Sequence, residues 1–353
     1  MKIIKYLIII LLTLIVGLYF LTRVPFVQDR IVTSVIKNTF ANPFSFPDDA
    51  LTALVCGTRS PLPSEGRAET CILIKAGENL FIIDVGDGSV NNLRNWRVDL
   101  SSVKAVIFSH LHSDHISDLA DLHLYTWINN PSKSEKLIVY GPEGVEQVTK
   151  GFQEAYKLDF KYRYEHHGND VAPIDLAGYE PITINLQNPV IIDDKDLKVT
   201  AFKVIHDPVE PSLGFRFEYK GRSIVISGDT IFTENTIKNS MNADVLFHEA
   251  QANHMVKILE EENRKAGNLM VSKIMQDVLD YHTTPVEAAE IANKANVKHL
   301  VFYHLNPAPR NSIMENMFVR GVNDIRRDWT LSKDGTMVIL PFNSDKIEIT
   351  KIN

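Results

Sequence analysis

The chain is poor in cysteine, has no excess of basic charge, and shows no low-complexity tract or solenoid-type repeat. Only Cys56 and Cys71 occur in 353 residues, and neither stands at metal-ligand spacing from a histidine. Cys56 also lies too far past the apolar N-terminus to be a lipid-attachment cysteine. In an oxidising compartment the two could pair across neighbouring strands, closing a 14-residue intervening loop. Two buried free thiols are the alternative, and the sequence leaves both open. Lysine and arginine total 37 against 44 acidic residues; without the two lysines of residues 1–22 the net charge is −9. Sequence-independent nucleic-acid binding needs the opposite sign, so bulk charge lends it no support. What remains is an ordinary globular composition, 44% hydrophobic and 23% charged, long enough for one large domain or two small ones.

Apolar residues are concentrated at one end. After Lys2 and Lys5, the stretch Tyr6 to Leu21 carries no charge, a length between a signal-peptide core and a short membrane span. Thr22-Arg23-Val24-Pro25 offers no small-x-small cleavage site, so residues 1–23 read as an uncleaved signal anchor. The lysines then stay inside and the rest of the chain is exported to the periplasmic or extracellular side. If the segment is cleaved, the protein is secreted. Residues 24–50 hold an amphipathic helix, with Val27, Ile31, Val35 and Ile36 at helical spacing, and a linker at Asn42-Pro43-Phe44-Ser45-Phe46-Pro47. That helix lies on a membrane surface or packs on the domain; its pattern does not choose.

Residues 51–353 carry strand-like runs at Leu51–Gly57, Thr70–Lys75, Leu80–Val85, Lys104–Ser109, Leu137–Tyr140, Leu197–Val204, Leu213–Tyr219, Ser223–Ser227, Asp244–His248, His299–His304 and Thr336–Leu340. Helical patterning appears at Ile116–Ile128, Val145–Tyr156 and Pro285–Ala295, with a helical insertion at about 253–282. Strands in groups with helices between them predict a layered α/β domain with helices on the outer faces.

Ser109-His110-Leu111-His112-Ser113-Asp114-His115 follows the apolar run Ala105–Phe108 and packs three histidines and an aspartate into six positions. Burying so many unpaired polar groups as core is too costly, which points to a metal site. His206, Asp229, His304 and Asp84 each end another apolar run, and strands that raise such residues to one sheet edge can converge them on a cation. Five histidines and two aspartates suit two divalent ions, with a carboxylate as bridge. His123, His254 and His299 read as surface or packing residues. His166-His167 is a candidate for the mouth of the site.

In this order, His110 to His115, His206, Gly228-Asp229-Thr230 and His304 resemble the metallo-β-lactamase superfamily. Phe247-His248-Glu249-Ala250, Tyr281-His282-Thr283-Thr284 and the opening Cys56 to Pro63 resemble exported members of its ribonuclease Z and arylsulfatase-like branch. The resemblance implies a four-layer αββα sandwich with the metals at one edge, preceded by the N-terminal hydrophobic anchor helix read from residues 1–23. It also implies two Zn2+ ions, with manganese or iron as substitutes, and hydrolysis through a hydroxide that bridges them. It assigns His110, His112 and His206 to one ion, Asp114, His115 and His304 to the other, and Asp229 to the bridge. Asp84 would orient the ligand loop from behind. Asp114 would also help hold the nucleophile, His282 would assist the leaving group, and His248 and Glu249 would support a proton relay, unless they form only a structural pair. The expected reaction is hydrolysis of small phosphodiesters or aryl sulfate esters. The alternatives are a lactonase or β-lactamase-like carbonyl hydrolase, and a non-catalytic metal-dependent envelope protein. Ribonuclease Z carries a tRNA-clasping arm before its Gly-Asp-Thr motif, for which Leu213–Arg222 leaves no room, so structured tRNA is not the expected partner. The resemblance hints at a homodimer.

Overall fold

The computed structural model describes residues 2–41, 44–128, 130 and 134–352. The chain divides into two compact units, residues 1–45 and 46–353. The first holds α1 (Lys2–Leu21) and α2 (Pro25–Ala41), the latter opening on a proline where its missing N–H costs nothing. Among the described residues, Ile3–Leu21 is the one helix long and apolar enough to cross a membrane, a test that a signal sequence also passes. Of the expected linker, Asn42 and Pro43 lie outside the described residues, and residues 44–47 have no regular structure.

The described residues of the second unit form two sheets. One contains β1 (Ala50–Gly57), β2 (Cys71–Ala76), β3 (Asn79–Ile83), β4 (Val103–Ile107), β5 (Leu137–Gly141) and β6 (Tyr179–Thr183). The other contains β7 (Val190–Asp194), β8 (Leu197–His206), β9 (Val209–Tyr219), β10 (Arg222–Ile226), β11 (Val245–Gln251), β12 (His299–Asn306) and β13 (Trp329–Leu331). The chain then returns to the first sheet with β14 (Thr336–Pro341) and β15 (Glu348–Lys351), giving the orders β15-β14-β1-β2-β3-β4-β5-β6 and β13-β12-β11-β10-β9-β8-β7.

Alternation builds the core. Leu51, Ala53 and Val55 of β1 and Ile72 and Ile74 of β2 meet Phe215 and Phe217 of β9, Ile224 and Ile226 of β10 and Phe247 of β11 between the sheets. On the outer face of the second sheet, Val225, Leu246, Leu300 and Phe302 pack under α7 (Glu234–Ser240), α10 (Pro285–Lys294), α11 (Ser312–Phe318) and α12 (Val322–Ile325). The first sheet is covered by α3 (Ser89–Asn95), α5 (Leu119–Trp127) and α6 (Val145–His167), with the short α4 (Ser113–Ile116) in the loop after β4. The result is the expected αββα sandwich.

Three differences from the sequence expectation have physical causes. Strands β6, β7, β13 and β15 carry no apolar run longer than three residues, because each is an edge strand with mostly exposed or half-buried side chains. The helical insertion is divided into α8 (Asn253–Lys265) and α9 (Leu269–Asp277), because Gly267 turns left-handed at φ +81° and ends the first helix. Helix α6 runs eleven residues past Tyr156, to His167. The cysteines resolve to one of the two open readings: Cys56 and Cys71 form a disulfide across the β1–β2 pair.

Direction decides where the site lies. β3 through β6 run parallel, as do β10 through β13, and β8 is antiparallel to β9, which is antiparallel to β10. The C-terminal ends of β8, β10, β11 and β12 therefore share one edge.

Candidate metal centre

The loop leaving β4 carries His110 and His112, and α4 begins immediately after, with His112 as its N-cap, which turns Asp114 and His115 inward. Nε2 of His110 and Nδ1 of His112 lie 2.9 Å apart, and the His206 ring from the end of β8 stands 5.1 Å and 5.4 Å from the two rings. These three form one potential metal-holding group. A second is Asp114, His115 and His304, with His304 Nε2 at 3.2 Å from Asp114 Oδ2 and His115 Nε2 at 3.5 Å from it. Asp229 lies between them: its Oδ2 is 3.2 Å from His304, 3.4 Å from His115, 3.9 Å from His206 and 4.0 Å from His110. All seven side chains are buried except that of His112, which is half-buried.

Local backbone geometry makes this convergence. Gly228 adopts φ +62° just before Asp229, and a Cβ there would lie 2.2 Å from the Leu213 carbonyl oxygen, so only glycine fits. The Tyr303 hydroxyl accepts from the Gly228 N–H at 3.1 Å and fixes that loop. His304 does not end its strand, as its sequence context suggested. β12 continues to Asn306, and His304 is an extra residue opposite the Glu249–Ala250 step, at φ +44°. Such a bulge re-aims one side chain without ending the ladder.

Asp84 follows β3 at φ +56° and holds the ligand loop from behind. Its carboxylate accepts from the Ser109 N–H at 2.8 Å, the Ser109 hydroxyl at 2.7 Å and His115 Nδ1 at 2.9 Å. His206 Nδ1 donates to the Tyr281 carbonyl at 3.0 Å. Each bond commits one ring nitrogen and turns the other toward the centre, as metal-ligating histidines require. Ser109 and Tyr281 lie within the sequence motifs but were given no role of their own. Ser109's place between an apolar run and the first histidine was the available signal, whereas Tyr281 acts through its backbone carbonyl, which no side-chain pattern records.

Among the described residues, the buried cluster leaves His115 Nε2, His206 Nε2, His304 Nδ1 and Asp229 Oδ1 without a hydrogen-bond partner. Orphaned polar atoms of this kind are costly unless something binds them. Burial pushes His206 down to about 4 and His110 well below the usual imidazole range, leaving neutral lone pairs. Burial opposes the ionised form of Asp114, yet His115 and His304 hold it down to about 2. Against burial, Asp114 and Asp229 raise His115 and His304 above the usual imidazole range instead. Ionised carboxylates packed among imidazoles with unpartnered polar atoms fit divalent cations with nitrogen and oxygen ligands.

His282 and Glu249 adjoin this cluster. His282 falls into one potential group with His206 and Asp229 and another with Glu249 and His304. Glu249 Oε1 accepts from His282 Nδ1 at 3.1 Å and from the backbone N–H groups of Thr283 and Thr230 at 3.0 and 3.3 Å. His248 belongs elsewhere. Alternation along β11 puts it on the Leu246 face, and its Nδ1 donates to the Glu249 carbonyl at 2.7 Å. His123 accepts from the Gly178 N–H at 2.8 Å and stacks on Trp127, a packing role. His254 and His299 bond the Met317 carbonyl and the Thr330 hydroxyl. His166 and His167 are exposed in the last turn of α6; the groove beside the ligand loop is lined by the first half of that helix instead.

With this geometry in view, the Metallo-beta-lactamase superfamily profile matches residues 65–271. A protein named Ribonuclease Z from Mycobacterium bovis (strain BCG / Pasteur 1173P2) is 32% identical over 260 residues, spanning 73% of this chain and 87% of that protein. Among solved structures, a metallo-beta-lactamase fold protein from Bacillus subtilis aligns with TM-score 0.60 at 20% identity, covering 82% of this chain and all of that one. Human tRNase Z, short form, aligns with TM-score 0.59, 20% identity and the same coverages. At that identity the structural likeness speaks for the fold.

Proposed function

The chain belongs to the metallo-β-lactamase superfamily, and on that premise we propose that it is a dinuclear zinc hydrolase of phosphodiester or aryl sulfate esters. The carrying observation is the Glu249–His282 pair set against two candidate metal groups that share Asp229. His110, His112 and His206 would hold one ion, Asp114, His115 and His304 the other, and Asp229 both. Bound there, divalent ions polarise the ester and make water acidic enough to supply a nucleophile near neutral pH.

The chain's own groups do the rest. Asp84 and the Tyr281 carbonyl fix the tautomers of His115 and His206. Hydrolysis breaks the P–O or S–O ester bond, one water oxygen ends on phosphorus or sulfur, and the departing oxygen takes a proton. His282 is the group suited to give it, with Nδ1 held by the buried Glu249 carboxylate and Nε2 left for the substrate. His248, turned to the other face of its strand, supports Glu249 only through the backbone.

Three features support small esters and an exported domain rather than tRNA. Strands β9 and β10 are joined by Lys220-Gly221 alone, both at positive φ, a tight hairpin with no inserted arm. The Cys56–Cys71 disulfide suits an oxidising compartment. Helix α1 is long and apolar enough to serve as an anchor. Metal-replete protein should hydrolyse bis(4-nitrophenyl) phosphate or 4-nitrophenyl sulfate and lose that activity to a chelator. Turnover of a lactone alone, or of none of the three, would overturn the reading.

A further inference from the structure

We propose that an apolar groove beside the ligand loop binds the organic group of the ester, and that Gly151 keeps this groove open. The inference rests on the hydrolase reading and names the substrate class: esters with a sizeable aromatic or alkyl group.

The groove adjoins the ligand loop through two residues that are chain neighbours of the candidate ligands. Leu111, between His110 and His112, and Ile116, directly after His115, line one wall of an open cavity of about 580 Å³. The other wall is a single face of α6, where Val148, Phe152, Ala155 and Tyr156 recur at helical spacing. The start of α6 is held close to the loop: a Cβ at its N-cap, Gly144, would lie 3.1 Å from Leu111 Cδ1. No lysine or arginine lines this space, so it lacks the contacts a polyanionic strand needs. Gln147 and the Tyr156 hydroxyl are its polar side-chain groups. Tyr156 is 40% exposed and Phe152 half-buried, which leaves aromatic surface open to solvent along the groove. Apolar surface of this kind against a polar centre is the usual anatomy of a small-molecule site.

Gly151 is the second, independent observation. It sits inside a 23-residue helix, where glycine is a poor choice. It is not among the glycines at positive φ, and a Cβ built on it meets nothing within 4 Å. Neither backbone conformation nor packing requires the missing side chain. Its one structural consequence is free space over the groove, between Val148 and Phe152.

The test compares metal-replete full-length protein with Gly151→Leu on alkyl 4-nitrophenyl phosphodiesters from methyl to hexyl. For the native chain, kcat/KM should rise about two- to fourfold per methylene until the groove is filled. Gly151→Leu should flatten that rise while raising Tm by about 1–3 °C, because it replaces an unfavourable helical glycine. Calorimetric binding of naphthalene-1-sulfonate should weaken at least tenfold in the variant. A native enzyme indifferent to chain length, or a variant that keeps the native dependence, overturns the groove assignment. So does a dimer in sedimentation that Gly151→Leu dissociates, since a second copy would then be the occupant. If no diester is cleaved at all, the hydrolase reading fails, and naphthalene-1-sulfonate decides the groove alone: unchanged binding overturns it and tenfold weaker binding upholds it.

Discussion

Replacing Asp84 by asparagine separates the loss of one charge-assisted hydrogen bond from a change of shape. Asparagine tolerates the φ of +56° at this position, so the backbone has no reason to move. The side-chain oxygen can still accept from the Ser109 N–H at 2.8 Å. The amide nitrogen then faces the Ser109 hydroxyl and His115 Nδ1, where the native carboxylate oxygen accepts at 2.7 and 2.9 Å. Ser109 can adapt, because its hydroxyl also lies 3.1 Å from His110 Nδ1. His115 cannot adapt without cost. Facing an N–H, its Nδ1 must become an acceptor, which moves the ring proton to Nε2, the atom that points 3.4 Å from Asp229. That proton occupies the lone pair needed for a cation. Hydrogen bonds to charged groups are worth about 1.5–3 kcal/mol, and loss of an outer partner of a metal-ligating histidine typically lowers affinity about 10–100-fold, or about 1.4–2.8 kcal/mol. The two routes agree, so Asp84→Asn should weaken zinc binding 10–100-fold in competition with a chromophoric chelator, with the far-ultraviolet circular dichroism preserved. Affinity within twofold of native would refute the argument that Asp84 sets the His115 tautomer.

Further expectations concern the leaving-group pair, the disulfide and one buried acid. His282→Ala should lower ester hydrolysis at least 100-fold with metal content unchanged by atomic absorption, and a loss of bound metal would make His282 a ligand instead. In Glu249→Gln the oxygen still accepts from Thr283 and Thr230, so only the charge behind His282 goes, and kcat should fall about 10- to 100-fold with metal retained. Removing the Cys56–Cys71 link, which joins positions 15 apart, should cost about 3 kcal/mol in urea unfolding from loop-closure entropy, and a loss below about 1 kcal/mol would contradict that account. Burial, helped by Asp121 and Asp87 and opposed by the Val90 N–H, raises Asp118 from 3.8 to about 6. The native state therefore binds the extra proton between those values, so this group's unfavourable effect develops as pH rises from 4 to 6 and is complete above. Asp118→Asn should accordingly raise Tm at pH 7.5 and leave it unchanged near pH 3.5, and an equal shift at both pH values would rule out titration as the cause.

The candidate ligands were legible because each stands where an apolar run stops. β8 and β10 run in the same direction on either side of β9, so His206 and Asp229 stop at one edge of the second sheet, where the His110 loop of the first sheet meets them. His304 was found by the same rule although its strand runs on. What the sequence context hid is the bulge, a backbone event whose residue pattern matches an ordinary strand end. The Glu249–His282 contact spans 33 positions and depends on the turn after α9, which local periodicity does not encode. The lining of the site was less legible still. His166 and His167 attracted attention because they could bind a ligand chemically, yet they stand about 20 Å along the helix axis from Phe152, at 1.5 Å per residue. The residues that reach the ligand loop instead are apolar, and apolar residues at helical spacing look like core. Only their exposure in the folded protein distinguishes them, and exposure follows from which neighbour is absent. On the proposed assignment the metal edge follows from strand ends that the sequence makes readable, whereas the organic group of the substrate would be chosen by the face of an adjoining helix, where one glycine without a steric reason carries more information than a pair of histidines.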